Sequence, residues 1–309
     1  MSEPTLEIAS NTLTLSDRQI AELRASGLTD ETIRDADIGS AEGQSVTKIL
    51  GWQQKGVPWG HCMVYPYRSF DGSDTEYVRV KPDFPRQGDG DRTIKYESPR
   101  GQQHRAYFPP RFAATFAAAT FILLTEGEKK CLAAMQAGYC CIGLGGVWAF
   151  QMKRQRDDRG KVFGARKLIP DLANLNWKGR RVLIIFDSDV EDRPDLQIAE
   201  CRLAELLATK GADVRVVRLP NVTEGKTGLD DFLVHHREAG HAELDKLIES
   251  AQAPELSKIA GPMDHAKLII DEAFNGDTGV RLRYWREDFW VFNGRCYEPL
   301  PDKEMSARI

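Results

Sequence analysis

The sequence predicts an α/β protein: a parallel sheet flanked by helices, preceded by a small β-rich basic subdomain and a short helical N-terminus, and followed by the start of another small domain. Three observations carry this expectation. Between about residues 120 and 252, short apolar runs alternate with helical patterns, as expected of strands buried on both faces. Between Gly60 and Pro110, short alternating runs are broken by Gly, Asp and Pro turns, the pattern of small antiparallel hairpins. The 309 residues exceed one ordinary domain, and 41% hydrophobic with 28% charged residues is close to a globular average.

In chain order, residues 13–37 read as two short helices. Ser16-Asp17 caps the first, Gly27 ends it, and Thr29 with Glu31 and Thr32 opens the second. The runs CMVYPY, EYVRVK and TIKYES follow as strands, and Arg79, Lys81, Arg92, Lys95, Arg100 and Arg105 make this region basic. FILLT is a strand, EKKCLAAMQAG a helix closed by Gly138, and YCCIGL a second strand ending in Gly145-Gly146. RVLIIF is the strongest buried strand. Pro194 opens a helix, VRVVRL is a fourth strand, and helices cover Leu229–His236 and 242–251. Pro254 to Pro262 reads as a linker before a short helix (HAKLIIDEAF) and aromatic-rich strands. The expected domains are therefore 1–58, 59–118, 119–253 and 254–309. The last reads as the opening of something longer, so that the chain is expected to be a truncated piece.

Composition excludes a disordered chain, a collagen-like repeat and a membrane bundle. The longest nearly apolar stretch, Phe112 to Leu124, falls short of the roughly 20 residues that cross a bilayer. The N-terminus has neither a basic start nor a hydrophobic core, so no secretory signal is visible, and a cytoplasmic protein without a membrane partner is expected. The six cysteines include no Cys-x-x-Cys pair, so they are expected to be reduced, mostly buried thiols, with no zinc. A net charge of -4 argues against a uniformly basic coat. Locally the balance reverses: Lys153 to Arg181 holds ten Lys or Arg against three Asp.

The chemistry is concentrated at strand tips. Thr125-Glu126-Gly127-Glu128, Gly143-Leu144-Gly145-Gly146 and Asp187-Ser188-Asp189 each follow a strand, and a parallel sheet brings all three to its carboxyl edge. In an extended backbone, Asp187 and Asp189 would aim their carboxylates the same way. Hard oxygen ligands suit Mg²⁺ or Mn²⁺, and paired ions stabilise the attacking and leaving oxygens of phosphoryl transfer. Glu126 would bind a second ion or accept a proton. Asp230 and Asp231 form a further acidic element that can equally cap a helix. Gly225-Lys226-Thr227 fails the P-loop pattern because Pro220 stands where glycine is required, and Trp148 breaks the dinucleotide fingerprint after Gly143.

The segments LLTEGEKKCLAAMQAG, CCIGLGGVW, LIIFDSDV and KTGLDDFL, over roughly residues 119–238, resemble a toprim domain, the catalytic fold shared by bacterial-type primases, topoisomerases and some nucleases. The resemblance implies that Glu126 is catalytic, that Asp187 and Asp189 bind metal, and that Asp230 or Asp231 adds to the cluster. MVYPYRSFDGSDTEYVRVKP followed by TIKYESPRGQQHRAYFP is similar to the subdomain that precedes toprim in bacterial-type primases, and Lys95, Tyr96, Ser98 and Pro99 match its basic motif. The resemblance thus assigns nucleic acid or nucleotide contacts to Arg79, Lys81, Lys95, Tyr96, Arg100, Lys129 and Gly145, with Lys95 also at the catalytic centre. The whole chain is similar to the N-terminal region of phage and plasmid primase-helicases. That implies a nucleotidyltransferase making primers on single-stranded DNA from NTPs with Mg²⁺ or Mn²⁺, partnered by a replicative helicase. A metal-dependent toprim nuclease and a non-catalytic template-binding adaptor are the alternatives. The family's zinc ribbon is missing, and the basic stretch after Trp148 has no counterpart in its pattern.

Overall fold

The computed structural model describes residues 14–52, 58–88, 93–156, 162–222, 224–259, 274–276, 279–285 and 288–301. They divide into two compact units, Met1–Glu255 and Leu256–Ile309.

The first unit begins with helices α1 (Asp17–Ala25) and α2 (Asp30–Asp35). Ser16 Oγ accepts the Gln19 N–H and the Gln19 side chain accepts the Ser16 N–H, so two otherwise orphaned donors are satisfied reciprocally. Thr29 caps α2. Strand β1 (Gly39–Glu42), helix α3 (Gly43–Ile49) and strands β2 (His61–Arg68) and β3 (Asp74–Pro82) follow, forming an antiparallel sheet of order β1-β2-β3. Alternation divides it cleanly. Val64, Val78 and Val80 pack with Val46, Leu50 and Trp59, while Met63, Tyr65, Tyr67 and Tyr77 face the larger domain. Beyond β4 (Arg86–Gln87) and β5 (Thr93–Ile94), the expected strand TIKYES continues only as a single bridge between Glu97 and Val80.

The larger domain contains β6 (Ala106–Tyr107), α4 (Phe112–Ala118), β7 (Phe121–Glu126), α5 (Glu128–Gln136), β8 (Cys141–Leu144), a small pair β9 (Gln155–Arg156) and β10 (Val162–Phe163), α6 (Pro170–Ala173), β11 (Arg181–Ile185), α7 (Pro194–Ala208), β12 (Asp213–Val216), α8 (Leu229–His236) and α9 (Gly240–Glu249). Its sheet has the order β12-β11-β7-β8-β6, parallel except for β6, which pairs antiparallel with β8. The α/β class with a mostly parallel, helix-flanked sheet is therefore as expected. Ile122, Leu124, Val182 and Ile184 meet α4 and α7 on one face through Phe112, Phe116, Ala199, Leu203 and Leu207. Leu123, Leu183 and Ile185 meet α5, α8 and α9 on the other through Leu132, Phe232 and Leu244. Burying each such side chain contributes about 1.5–3 kcal/mol.

Several elements escaped the sequence reading, among them β1, α3, α6 and the β9–β10 pair, and two more bear on the core. Helix α4 lies within the apolar stretch Phe112 to Leu124, where Phe112 and Phe116 share one face. Strand β6, only two residues long, comes from within the segment 59–118 expected to form the β-rich subdomain.

The second unit contains β13 (Asn275–Gly276), β14 (Gly279–Val280), and an antiparallel sheet of β15 (Leu282–Trp285), β16 (Asp288–Phe292) and β17 (Tyr297–Leu300). Aromatic pairs cross this sheet, including Tyr284 with Phe289 and Phe292 with Tyr297. The expected helix HAKLIIDEAF lies, but for Phe274, outside the described residues, as does Arg92. Cys62, Cys131, Cys140, Cys141 and Cys201 are buried free thiols and Cys296 is exposed. No helix among the described residues is long and apolar enough to cross a membrane.

Candidate active site

Parallel pairing sets the strand tips side by side. Thr125 lies opposite both Ile185 and Gly143, and Glu126 opposite Leu144, so the chain leaves β7, β8 and β11 at one edge. Gly127, at φ 96°, turns the chain directly from Glu126 into α5.

The extended Asp187-Ser188-Asp189 expected from sequence does not form. Ser188–Asp192 is a 3-10 turn, entered from Asp187 in an extended conformation. Ser188 drives the turn: its N–H donates to the Thr227 carbonyl at 3.0 Å, its hydroxyl accepts the Thr227 N–H at 2.8 Å, and it donates to Asn221. Asp187 is 3% exposed, whereas Asp189 is only partly covered and has Arg193 Nη1 at 3.8 Å.

Asp187 sits between two ammonium groups. Lys130 Nζ lies 2.5 Å from Oδ1 and Lys226 Nζ 2.7 Å from Oδ2. The Lys130 contact is a charge contact without hydrogen-bond alignment, so Asp187 Oδ1 is buried with no hydrogen-bond partner, as are Asp189 Oδ1 and Asp230 Oδ1. Asp230 is buried at the start of α8. Asp231 turns back to accept the Gly228 N–H at 2.9 Å through Oδ2, so it caps the helix. Gly228 lets these groups close up: a Cβ there would lie 2.5 Å from Lys130 Cε and 2.8 Å from Asp230 Oδ1. Burial holds the Glu126 carboxyl above its usual range; Lys130 opposes this, Asp187 reinforces it, and Lys226 and Arg79 oppose it more weakly.

Among the described residues, no three Asp, Glu, His or Cys side chains converge closely enough to hold an ion. The donor chemistry itself is that of a hard divalent cation site, because every candidate ligand is a carboxylate and buried Oδ1 atoms of Asp189 and Asp230 lack hydrogen bonds.

The expected nucleic-acid residues divide into two sets. Lys95 and Arg100 are exposed, and Tyr96 is half-buried. Arg79, Lys81 and Lys129 are instead committed internally. Arg79 Nη1 donates to Glu128 Oε1 at 2.7 Å and its guanidinium lies 4.5 Å over the Tyr96 ring. Tyr67 Oη donates to the same Glu128 oxygen at 2.6 Å. Lys81 and Lys129 both pair with Glu22 of α1, the latter at 3.1 Å. Gly145 accommodates Arg79, since a Cβ there would lie 3.2 Å from its Cδ and Nη1. Tyr107 is buried against Tyr67. In the basic stretch Lys153–Arg181, residues 157–161 lie outside the described ones; Arg166 lies over Trp148 at 5.7 Å and Arg180 donates to the Ala119 carbonyl at 3.0 Å.

Sequence reasoning missed Glu22, Glu128, Lys130 and Lys226. The one available signal was electrostatic. Lys129 and Lys130 occupy the first turn of α5, where the helix dipole disfavours cations, so each needed an anionic partner.

A family described as "Domain of unknown function (DUF3854)" matches residues 116–239. An uncharacterized protein of Picosynechococcus sp. (strain ATCC 27264 / PCC 7002 / PR-6) is 32% identical over 117 residues, which are 37% of this chain and 11% of that protein. Among solved structures, the RNA polymerase domain of Mycobacterium tuberculosis primase DnaG superposes with a TM-score of 0.55 at 16% identity, covering 87% of this chain and 86% of that one. The zinc-binding and RNA polymerase domains of Aquifex aeolicus primase give 0.51 at 18% identity, over 76% and 56%. A DnaG primase catalytic domain bound to single-stranded DNA gives 0.50 at 17% identity, over 81% and 79%. The fold is that of primase catalytic cores.

Proposed function

We propose that the protein is a primase-type nucleotidyltransferase that builds primers on single-stranded DNA. The observation that carries this reading is the acidic set Glu126, Asp187, Asp189 and Asp230, with Oδ1 of Asp189 and of Asp230 buried and without hydrogen bonds, at the carboxyl edge of a sheet with a primase-core fold. In the proposed reaction a 3′-hydroxyl attacks the α-phosphorus of an NTP; the new O–P bond forms as the bond to pyrophosphate breaks. Glu126, whose proton affinity is raised, accepts the hydroxyl proton. Asp187, Asp189 and Asp230 are the residues that would hold a divalent cation, Mg²⁺ or Mn²⁺, which would supply charge stabilisation when bound. Lys95 and Arg100, exposed on the β-rich subdomain, contact template phosphates.

The same reading assigns 59–118 to template and nucleotide binding, 119–253 to catalysis and 254–309 to the opening of a helicase-linking domain, behind a helical element at 1–58. It puts the protein in phage or plasmid replication beside a replicative helicase. Incubation with single-stranded DNA, labelled NTPs and Mg²⁺ or Mn²⁺ tests it. Labelled primers support the proposal. Shortened DNA would identify a nuclease instead, and retention of DNA without chemistry an adaptor.

A further inference from the structure

A two-legged antiparallel ribbon leaves the carboxyl edge of the sheet just beyond the tip of β8, in the basic stretch after Trp148. Its legs, 150–156 and 162–169, are joined by the β9–β10 pair and by two backbone bonds nearer the sheet. The Met152 N–H donates to the Lys167 carbonyl at 2.9 Å, and the Ile169 N–H to the Phe150 carbonyl at 2.8 Å. The feet are fixed, because Phe150, Leu168 and Ile169 are buried in the core with Leu172 and Trp177. Above them the ribbon is cationic. Lys153 and Lys167 are exposed, Arg154 and Arg166 are half-buried, and neither leg contains an Asp or Glu. Asp157 and Asp158 lie outside the described residues. Neutral groups hold the two guanidiniums: Arg154 Nε donates to the Gly164 carbonyl at 3.0 Å, and Arg166 Nη1 to Gln151 Oε1 at 2.8 Å. Burial, then Arg154 and Arg202, hold Arg166 below its usual value; Glu205 opposes them, but is itself paired with Arg202 at 2.9 Å. Among the described residues, no ion pair joins Lys153, Arg154, Arg166 or Lys167 to a carboxylate.

We propose that Lys153, Arg154, Arg166 and Lys167 form a second nucleic-acid contact, which holds backbone phosphates of the DNA strand that Lys95 and Arg100 engage. The choice of DNA rests on the function proposed above; the cationic surface does not. Cations gathered on a rigid support, with their own carboxylates missing, repel one another until an anion from outside joins them. Strung along two legs, they suit a chain of phosphates, whereas a compact triphosphate calls for a concave site. Position agrees with this ligand. Gln103 Nε2 donates to the Gln151 carbonyl at 3.4 Å, which ties the ribbon to the segment that carries Arg100. Lys153 also bears on His104, whose imidazole is held below its usual value by burial, by Lys153 and by Arg79. The ribbon thus extends the exposed basic surface of the β-rich subdomain along the catalytic edge of the sheet.

The test is fluorescence anisotropy of a labelled oligothymidylate with the full chain, across a series of salt concentrations and without NTP. Wild type is compared with Lys153→Ala/Lys167→Ala and with a control of equal charge change, Lys178→Ala/Lys210→Ala. The control lysines are exposed and stand before β11 and β12, at the opposite, amino edge of the parallel sheet. The ribbon variant is expected to lower the slope of log affinity against log salt by about 1.4, at roughly 0.7 for each single-strand phosphate released. The control should leave it unchanged. An unchanged slope for the ribbon variant, an equal fall for both variants, or no binding of the oligonucleotide by the wild type overturns the contact. Substituting exposed lysines spares the buried feet, so folding is retained, as circular dichroism would verify. Primer synthesis by the wild type, assayed separately, keeps the two readings apart. A fall confined to the ribbon variant, without primers, supports the contact and sinks the primase reading; primers with an unchanged slope sink the contact alone.

Discussion

Glu126 and Glu128 are two residues apart, one closing β7 and the other opening α5, yet they serve opposite ends. Glu128 is 1% exposed and its Oε1 accepts from both the Arg79 guanidinium and the Tyr67 hydroxyl. Glu126 looks instead onto Asp187, Lys130 and Lys226, and the Oδ1 atoms of Asp189 and Asp230 at the same sheet edge lack hydrogen bonds. The first glutamate joins the β-rich subdomain to the larger domain. The second belongs to a site built to receive something. Burial alone does not distinguish structural from functional acids.

The strongest way to break this comparison is to neutralise each acid. Glu126→Gln is expected to reduce primer synthesis by about 10²- to 10⁴-fold, the range of a lost general base, and Asp187→Asn by at least as much. Glu126→Gln should also raise Tm. Its folded-state pKa lies above the usual 4.5, so the folded protein binds the proton more tightly than the unfolded chain. The stabilisation present at low pH is lost as pH rises through that raised value, leaving ionised Glu126 unfavourable at neutrality. A lower Tm for this variant, measured by scanning calorimetry, would contradict the assignment.

Next in size is the structural pair. Arg79→Met should cost about 3–5 kcal/mol in urea unfolding by leaving Glu128 buried and unpaired, and the Arg79→Met/Glu128→Met double variant should recover most of it. If the single and double variants are equally unstable, Arg79 is acting through its stacking on Tyr96 instead.

The pH profile sharpens the contrast further. Since Glu126 must be ionised to accept a proton, activity is expected to fall on acidification at a pH above the ordinary carboxylate range. An acid limb at an ordinary glutamate value would remove Glu126 from that role.

The smallest effect concerns template. Lys95→Ala and Arg100→Ala should each lower the slope of log affinity for single-stranded DNA against log salt by about 1. Lys81→Ala, whose cation is neutralised by Glu22, should leave the slope unchanged. Equal changes for all three, measured by fluorescence anisotropy, would place Lys81 on the DNA path after all.

These contrasts also explain what was legible in the sequence. The strand–helix alternation was plain because RVLIIF and FILLT are apolar without interruption, and a parallel sheet then forces Glu126 and Asp187 to one edge. Asp189 was misread because the turn at Ser188 is set by Thr227 and Asn221, more than thirty residues downstream. Arg79, Lys81 and Lys129 looked like ligand-binding cations because Glu128 and Glu22, which neutralise them, are revealed only by tertiary packing.

The edge strand β6 has a mechanical consequence. Strand β6 closes the parallel sheet with chain that has just left the β-rich subdomain, and Arg105 beside it is clasped by both carboxylate oxygens of Asp171, at 3.1 and 2.9 Å. Peeling the subdomain away would tear a strand from the sheet and expose Tyr107 and Phe108. The hairpins and the catalytic sheet should therefore melt in a single cooperative transition, with native-state hydrogen exchange protecting Val64 and Leu183 to the same depth.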